Sequence, residues 1–347
     1  MGLEEIEPGM TGVGRSVFRG TKVEEFDVEI LGILPTSRAD GDMILARLSG
    51  MGLEESGVIA GMSGSPVYVG GRLIGAVAFA WPFASVPIGG ITPIASMLTV
   101  TNRAGTVDPE GAGNSPRRRG GLSPEAWDEL RATRGEAALE LLVGRTSGAG
   151  GGLLPLQVPV AMQGFAGPGL EAASRYLERL GFVPVAGGAM GEESDGTDFP
   201  PLEPGSAVAV ELVRGDAQLA GIGTVTWVDE ERILAFGHPM MSMGPSAYPM
   251  AQARILTVMP RITNSFKMGV AGPLVGTILR DDQAGIMGTL GPVPRLIPLE
   301  VVVEGGDPPG VLRYEVLDAD ALTPALVGLL ALNSASARIR GMGPATL

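Results

Sequence analysis

Gly61-Met62-Ser63-Gly64-Ser65-Pro66-Val67-Tyr68-Val69-Gly70-Gly71-Arg72-Leu73-Ile74-Gly75-Ala76-Val77 is the stretch from which the fold can be read. Val67–Val69 and Leu73–Val77 are short apolar runs on either side of Gly70-Gly71, a two-residue signature of a β-hairpin. Ahead of the hairpin, a serine stands between glycines, where the backbone can turn sharply. Further upstream, Phe26, Val28 and Ile30 alternate with Glu25, Asp27 and Glu29, giving a strand with one buried and one wet face. The first hundred residues therefore predict short antiparallel strands.

Composition extends this reading to the whole chain of 347 residues. Gly (54) and Pro (28) are in large surplus while 45% of residues are apolar, so the chain is turn-rich but too hydrophobic for disorder. The expected class is mainly β (α+β overall), with two β-barrel-like lobes, a mixed αβ middle segment and a C-terminal helix. Lys+Arg number 25 against 38 Asp+Glu, a net charge of −13, which argues against a nucleic-acid partner. No apolar run reaches the ~18 residues of a membrane span. The acidic start, Met1-Gly2-Leu3-Glu4-Glu5, shows no signal peptide.

The length predicts two or three domains. Residues 1–101 form a β domain carrying the serine turn, and 102–152 a linker with a short helix opened by Ser123-Pro124-Glu125-Ala126. Arg117-Arg118-Arg119 reads as a solvated linker charge run, and Gly148–Gly152 as a second flexible break. Residues 153–204 form a small αβ segment, whose helix carries Leu170, Ala173, Leu177 and Leu180 on one face, followed by a polar, Pro-rich joint from Glu192 to Gly205. Residues 205–318 form a second β domain and 319–347 the C-terminal helix and tail.

With no cysteine and one histidine, thiolate chemistry is excluded and multi-imidazole metal sites cannot be built within one chain. No carboxylate spacing points to a metal, so neither metal nor cofactor is expected. If imidazole serves as a base, His238 is the only one available. It lies in Ala235-Phe236-Gly237-His238-Pro239, and Pro239 biases it towards an extended backbone. A serine hydroxyl is a poor nucleophile without a positioned base. Ser63 and His238 thus form the candidate catalytic pair, with the N–H groups of Gly61 and Ser63 as a candidate oxyanion hole. An ordinary Gly/Ser turn and a structural histidine remain open readings of the same residues.

The serine turn and its hairpin resemble the nucleophile region of trypsin-like serine peptidases. More specifically, the chain resembles the bacterial SpoIVB-type serine peptidases. Gly61-Met62-Ser63-Gly64-Ser65-Pro66 reproduces their nucleophile motif, and Gly223-Thr224-Val225-Thr226 with Gly237-His238 resembles their histidine motif. Gly276-Thr277-Ile278 and Gly285-Ile286-Met287-Gly288 also look similar. The resemblance implies a hydrolase in which Ser63 is the nucleophile and His238 the general base, acting on itself or on a protein or peptide substrate. It also implies an extracytoplasmic or envelope location. Two features depart from the pattern: the histidine follows the serine, and the family's acidic position aligns with Ser49-Gly50. Asp42, Asp229 and Asp281 are weak substitutes for that acid.

A second functional reading is a catalytically inactive peptidase-fold scaffold that binds peptides along a sheet edge. Other classes are poorly supported, because no dinucleotide fingerprint or phosphate loop is present. The adjacent acids Glu54-Glu55 and Asp281-Asp282 read as solvent charge. The Met-rich stretch Met240–Met250 reads as core or loop packing, with a groove lining as the alternative.

Overall fold

The computed structural model describes residues 1–36, 41–103, 153–187, 199–304 and 310–338. The expected Ser123 helix, the arginine run, the Gly148–Gly152 break and the Gly343–Leu347 tail lie outside the described residues, as does the first half of the Pro-rich joint. The first lobe contains β1 (Thr11–Val17), β2 (Val23–Leu34), β3 (Met43–Ser49), β4 (Pro66–Val69), β5 (Arg72–Ala80) and β6 (Ile88–Pro93). A single helical turn, α1 (Leu53–Ser56), follows β3, and helix α2 (Ile94–Arg103) follows β6. The pairings run β1-β2-β3-β6-β5-β4 and return to β1, closing a six-stranded antiparallel barrel. Its core holds Phe26, Val28 and Ile30, the apolar members of the alternating strand, and Gly70-Gly71 is the turn between β4 and β5.

The second sheet begins in the middle segment. β7 (Leu154–Pro155) adds to β5 of the first lobe, but β8 (Pro159–Gln163) and β9 (Val183–Ala186) extend the second sheet. The helix between them, α3 (Gly167–Arg179), buries Ala173 and Leu177 in the second core, with Leu170 and Leu180 packed against it. The middle segment is thus shared between the lobes' sheets. β8 is buried at every position, so its sequence carries no alternation to reveal a neighbour.

The remaining strands are β10 (Ala207–Gly215), β11 (Gln218–Asp229), β12 (Arg232–Ala235), β13 (Gly244–Met259), β14 (Phe266–Asp282), β15 (Gly285–Leu290), β16 (Leu296–Val303) and β17 (Gly310–Leu317). Six of them pair in the cycle β10-β11-β12-β15-β14-β13 and back to β10, all antiparallel. This is the strand order of the first lobe repeated. Closure gives every ring strand two neighbours, while β9 and β16 are the outer strands of the second sheet and β7 of the first. The β16–β17 hairpin attaches through β17 to β10.

The C-terminal helix α4 (Thr323–Arg338) lies over this sheet and against α3. Asn333 fixes the crossing: its side chain accepts from Ala166 N–H at 3.1 Å and donates to the Gly164 carbonyl at 2.8 Å. Among the described residues no helix is long and apolar enough to cross a membrane. Leu330 is fully buried in the second core. Leu330→Ala should therefore destabilise the protein by about 2–5 kcal/mol, read as a lower urea midpoint.

Candidate active site

The two lobes meet at the serine turn. Ala60, just before it, donates to the Ser265 carbonyl at 2.8 Å and accepts from Lys267 N–H at 2.9 Å, so the turn is anchored to the start of β14. Gly64 N–H donates to Val77 O on β5 at 2.8 Å, while Thr224 N–H on β11 donates to Ser63 O at 2.9 Å. The hydroxyls of Thr224 and Thr226 donate to the carbonyls of Gly61 (3.0 Å) and Gly64 (2.7 Å). The Gly-Thr-Val-Thr strand read as part of the histidine motif is therefore the strand on which the serine turn docks. Gly64 has φ +96°, and a Cβ there would lie 2.0 Å from Thr224 O and 2.4 Å from Phe236 N. Only glycine permits this approach.

His238 reaches the same junction from the other lobe. After β12 the chain makes a tight turn in which Gly237 N–H donates to Ala235 O at 2.9 Å. Phe236 at its centre has φ +70°, a strained conformation for an aromatic residue. Gly237 then passes so close to β5 that a Cβ would lie 3.0 Å from that of Ala78. Its carbonyl accepts from Thr92 Oγ1 on β6 at 2.6 Å. Serine and histidine segments are thus both held against β5, one through Val77 and the other over Ala76 and Ala78.

Ser63 and His238 are both buried. His238 Nδ1 lies 2.7 Å from the Pro239 carbonyl. A carbonyl oxygen only accepts, so Nδ1 carries a proton, and in the neutral form of the ring the lone pair is on Nε2. The ring sits between Phe79 and Phe236, with centroids 6.3 and 6.1 Å away. Ser63 Oγ makes no hydrogen bond among the described residues, so it is not engaged with the imidazole in this state. The Gly64 and Ser65 amides are occupied by Val77 O and Met62 O, whereas those of Gly61 and Ser63 enter no backbone hydrogen bond of the described residues.

The three acidic candidates part company. Asp42 accepts from Thr36 N–H at 3.1 Å beside the β2–β3 connection, and Asp229 forms an exposed ion pair with Arg232 at 2.7 Å on the β11–β12 turn. Asp281, by contrast, is buried and not the solvent charge its acidic neighbour implied. Successive strand residues face opposite ways: Asp282 pairs with Arg280 at 2.9 Å, while Asp281 turns inward. Its carboxylate accepts from the N–H groups of Met240 and Met241 at 2.7 Å and of Met243 at 3.4 Å. Burial pushes its pKa up to about 6, although the three amides favour the charged form. Asp281 thus fastens the loop directly after His238-Pro239. Met240 and Met250 lie in the second core, so the Met-rich stretch packs there.

Sequence reading singled out neither Thr92 nor Lys267, a fully buried lysine that touches the underside of the serine turn. A lysine between Phe266 and Met268 has no local pattern that distinguishes it from a solvent-facing strand residue.

The family model of the SpoIVB peptidase S55 matches residues 3–91, a segment that spans β1 to β6 and contains the serine turn. It supports a serine peptidase domain of SpoIVB type in the first lobe and ends before the histidine. No curated protein and no solved structure matches the chain significantly. Gly64→Ala should destabilise the protein by about 3–5 kcal/mol through left-handed strain and the clash with β11, read by chemical denaturation.

Proposed function

We propose that the protein is a serine endopeptidase in which Ser63 is the nucleophile and His238 the general base, held here in a closed state. The observation that carries this reading is the docking of the serine turn on β11, against the backbone that leads into His238. The repeated six-strand order of the two lobes favours a trypsin-like arrangement in which each lobe contributes part of the site.

In the reaction, Ser63 Oγ attacks the scissile carbonyl carbon and its proton passes to His238 Nε2. The Gly61 and Ser63 N–H groups, free of backbone acceptors, stabilise the oxyanion. His238 then returns the proton to the departing amine as the C–N bond breaks, and water releases the acyl group by the same steps in reverse.

The orienting group on Nδ1 is the Pro239 carbonyl. It fixes the tautomer but stabilises an imidazolium less than a carboxylate does, so the chemistry is slower than in an acid-bearing triad. Asp281 supports it indirectly, by holding the amides of the following loop. It is a positioning residue. Catalysis requires the junction to open far enough to admit an extended chain and to bring the imidazole onto Ser63 Oγ. Burial of both side chains favours, as the second reading, a non-catalytic peptidase fold that binds peptides.

A fluorophosphonate probe separates the two. The peptidase reading expects labelling of the folded protein at Ser63, lost in Ser63→Ala and reduced at least ~100-fold in His238→Asn. Asp281→Asn should slow labelling by about 10- to 100-fold through misplacement of the histidine loop. A folded wild type that takes no label, or labelling that persists in Ser63→Ala, would overturn the assignment.

A further inference from the structure

Lys267 lies at the start of β14, fully buried beneath the serine turn, and no carboxylate is paired with it among the described residues. Its aliphatic stem is packed on Gly61, where a Cβ would lie 3.3 Å from its own. Its Nζ is 2.7 Å from Ser16 Oγ on β1 and 3.4 Å from Thr224 Oγ1 on β11. Ser16 Oγ in turn accepts from Ser65 Oγ at 2.9 Å. Thr224 Oγ1 donates to Gly61 O. One amine is therefore linked to both ends of the turn, to Gly61 through Thr224 and to Ser65 through Ser16.

A buried lysine with no counter-charge is costly unless it does something an apolar side chain cannot. Proton counting indicates its state. The amine donates to Ser16 Oγ and to Thr224 Oγ1, two bonds that use both N–H groups of a neutral amine. An ammonium carries a third N–H, which finds no acceptor among the described residues. The surroundings are apolar or neutral on every side: Ser16 from β1, the Phe18 ring with its centroid 5.8 Å from Nζ, Thr224 from β11, and Ala60 and Gly61 from the turn. Arg15 and Glu25, charged neighbours on β1 and β2, are exposed and pair with each other at 3.0 Å.

We propose that Lys267 is the positioning residue of the serine turn, a buried neutral amine that fixes the Gly61–Ser65 backbone through Ser16 and Thr224 and loosens it when protonated. Because the hydroxyl relay is sealed beneath the turn, Lys267 acts through the backbone that presents Ser63 and the two oxyanion amides. Burial pushes its pKa down to about 7, which places the change within ordinary working pH. The sign follows from linkage. Between pH 7 and the ordinary lysine range the unfolded chain holds a proton that the folded protein does not, so stability rises with pH across that window.

This inference rests on the peptidase reading only for its kinetic arm. In the full chain, selective ¹³C labelling of lysine side chains, with Lys267→Met as the assignment control, should show one lysine titrating near pH 7. The backbone amides of Gly61 to Ser65 should shift with the same midpoint, and Lys267→Met should abolish that shift. The labelling rate at Ser63 should rise through the same pH in wild type. In Lys267→Met it should lose that limb and fall about 10- to 100-fold at pH 8. A Lys267 that titrates near its ordinary value, or amides that ignore its titration, overturns the proposal. Equal rates and pH profiles in both proteins would also overturn it, and probe attachment to Ser65 would replace it with a catalytic relay. If wild type takes no label at any pH, the peptidase reading fails, and the amide titration alone still decides the role of Lys267.

Discussion

The contact on which the structure turns is that of Gly64 with the backbone of Thr224 and Phe236. Each lobe closes its own ring of strands, and among the described residues strand-like pairing between the two rings is confined to isolated bridges, Gly20 with Ile255 and Ala60 with Phe266. They also join through a turn. The serine turn uses its carbonyls as acceptors for one backbone N–H and two threonine hydroxyls of β11, while β5 pairs with it from the other side. That arrangement needs backbone against backbone, and hence a residue without a Cβ. The same crowding bears on the chain before His238, where Phe236 occupies a left-handed conformation that tertiary contacts must hold.

Burial then governs the chemistry. The junction contains an imidazole, a carboxylate and an amine, and each meets desolvation in a different way. His238 donates from Nδ1 to a carbonyl. Asp281 gathers three amides. Lys267 donates to two hydroxyls, and burial lowers its pKa. None of the three is used to neutralise another. The bonds run to backbone for His238 and Asp281 and to strand hydroxyls for Lys267, so each group sets the course of a chain segment.

Where a pattern is local, the sequence carries it. Alternation in Phe26–Ile30 and the Gly-Gly turn mark β2 and the β4–β5 hairpin of the first lobe. β8 was harder to place because it is covered on both faces and pairs in parallel with β9 across an intervening helix. Asp281 was misread as solvent charge because two adjacent acids look alike in one dimension, although a strand points them to opposite faces. Lys267 was invisible for a related reason: its amine is explained by Ser16 and Thr224, which are 251 and 43 residues away.

By itself the sequence determined the class of fold, the serine turn with its glycines, and the fact that only one imidazole exists to serve it. Those are properties of composition and short-range geometry. Only the tertiary structure decided that β11 receives the turn, that the Pro239 carbonyl faces Nδ1, that Asp281 fastens the histidine loop, and that an amine lies beneath the serine. Each depends on long-range closure of two barrels against one another, and no spacing along the chain encodes which buried groups that closure brings together.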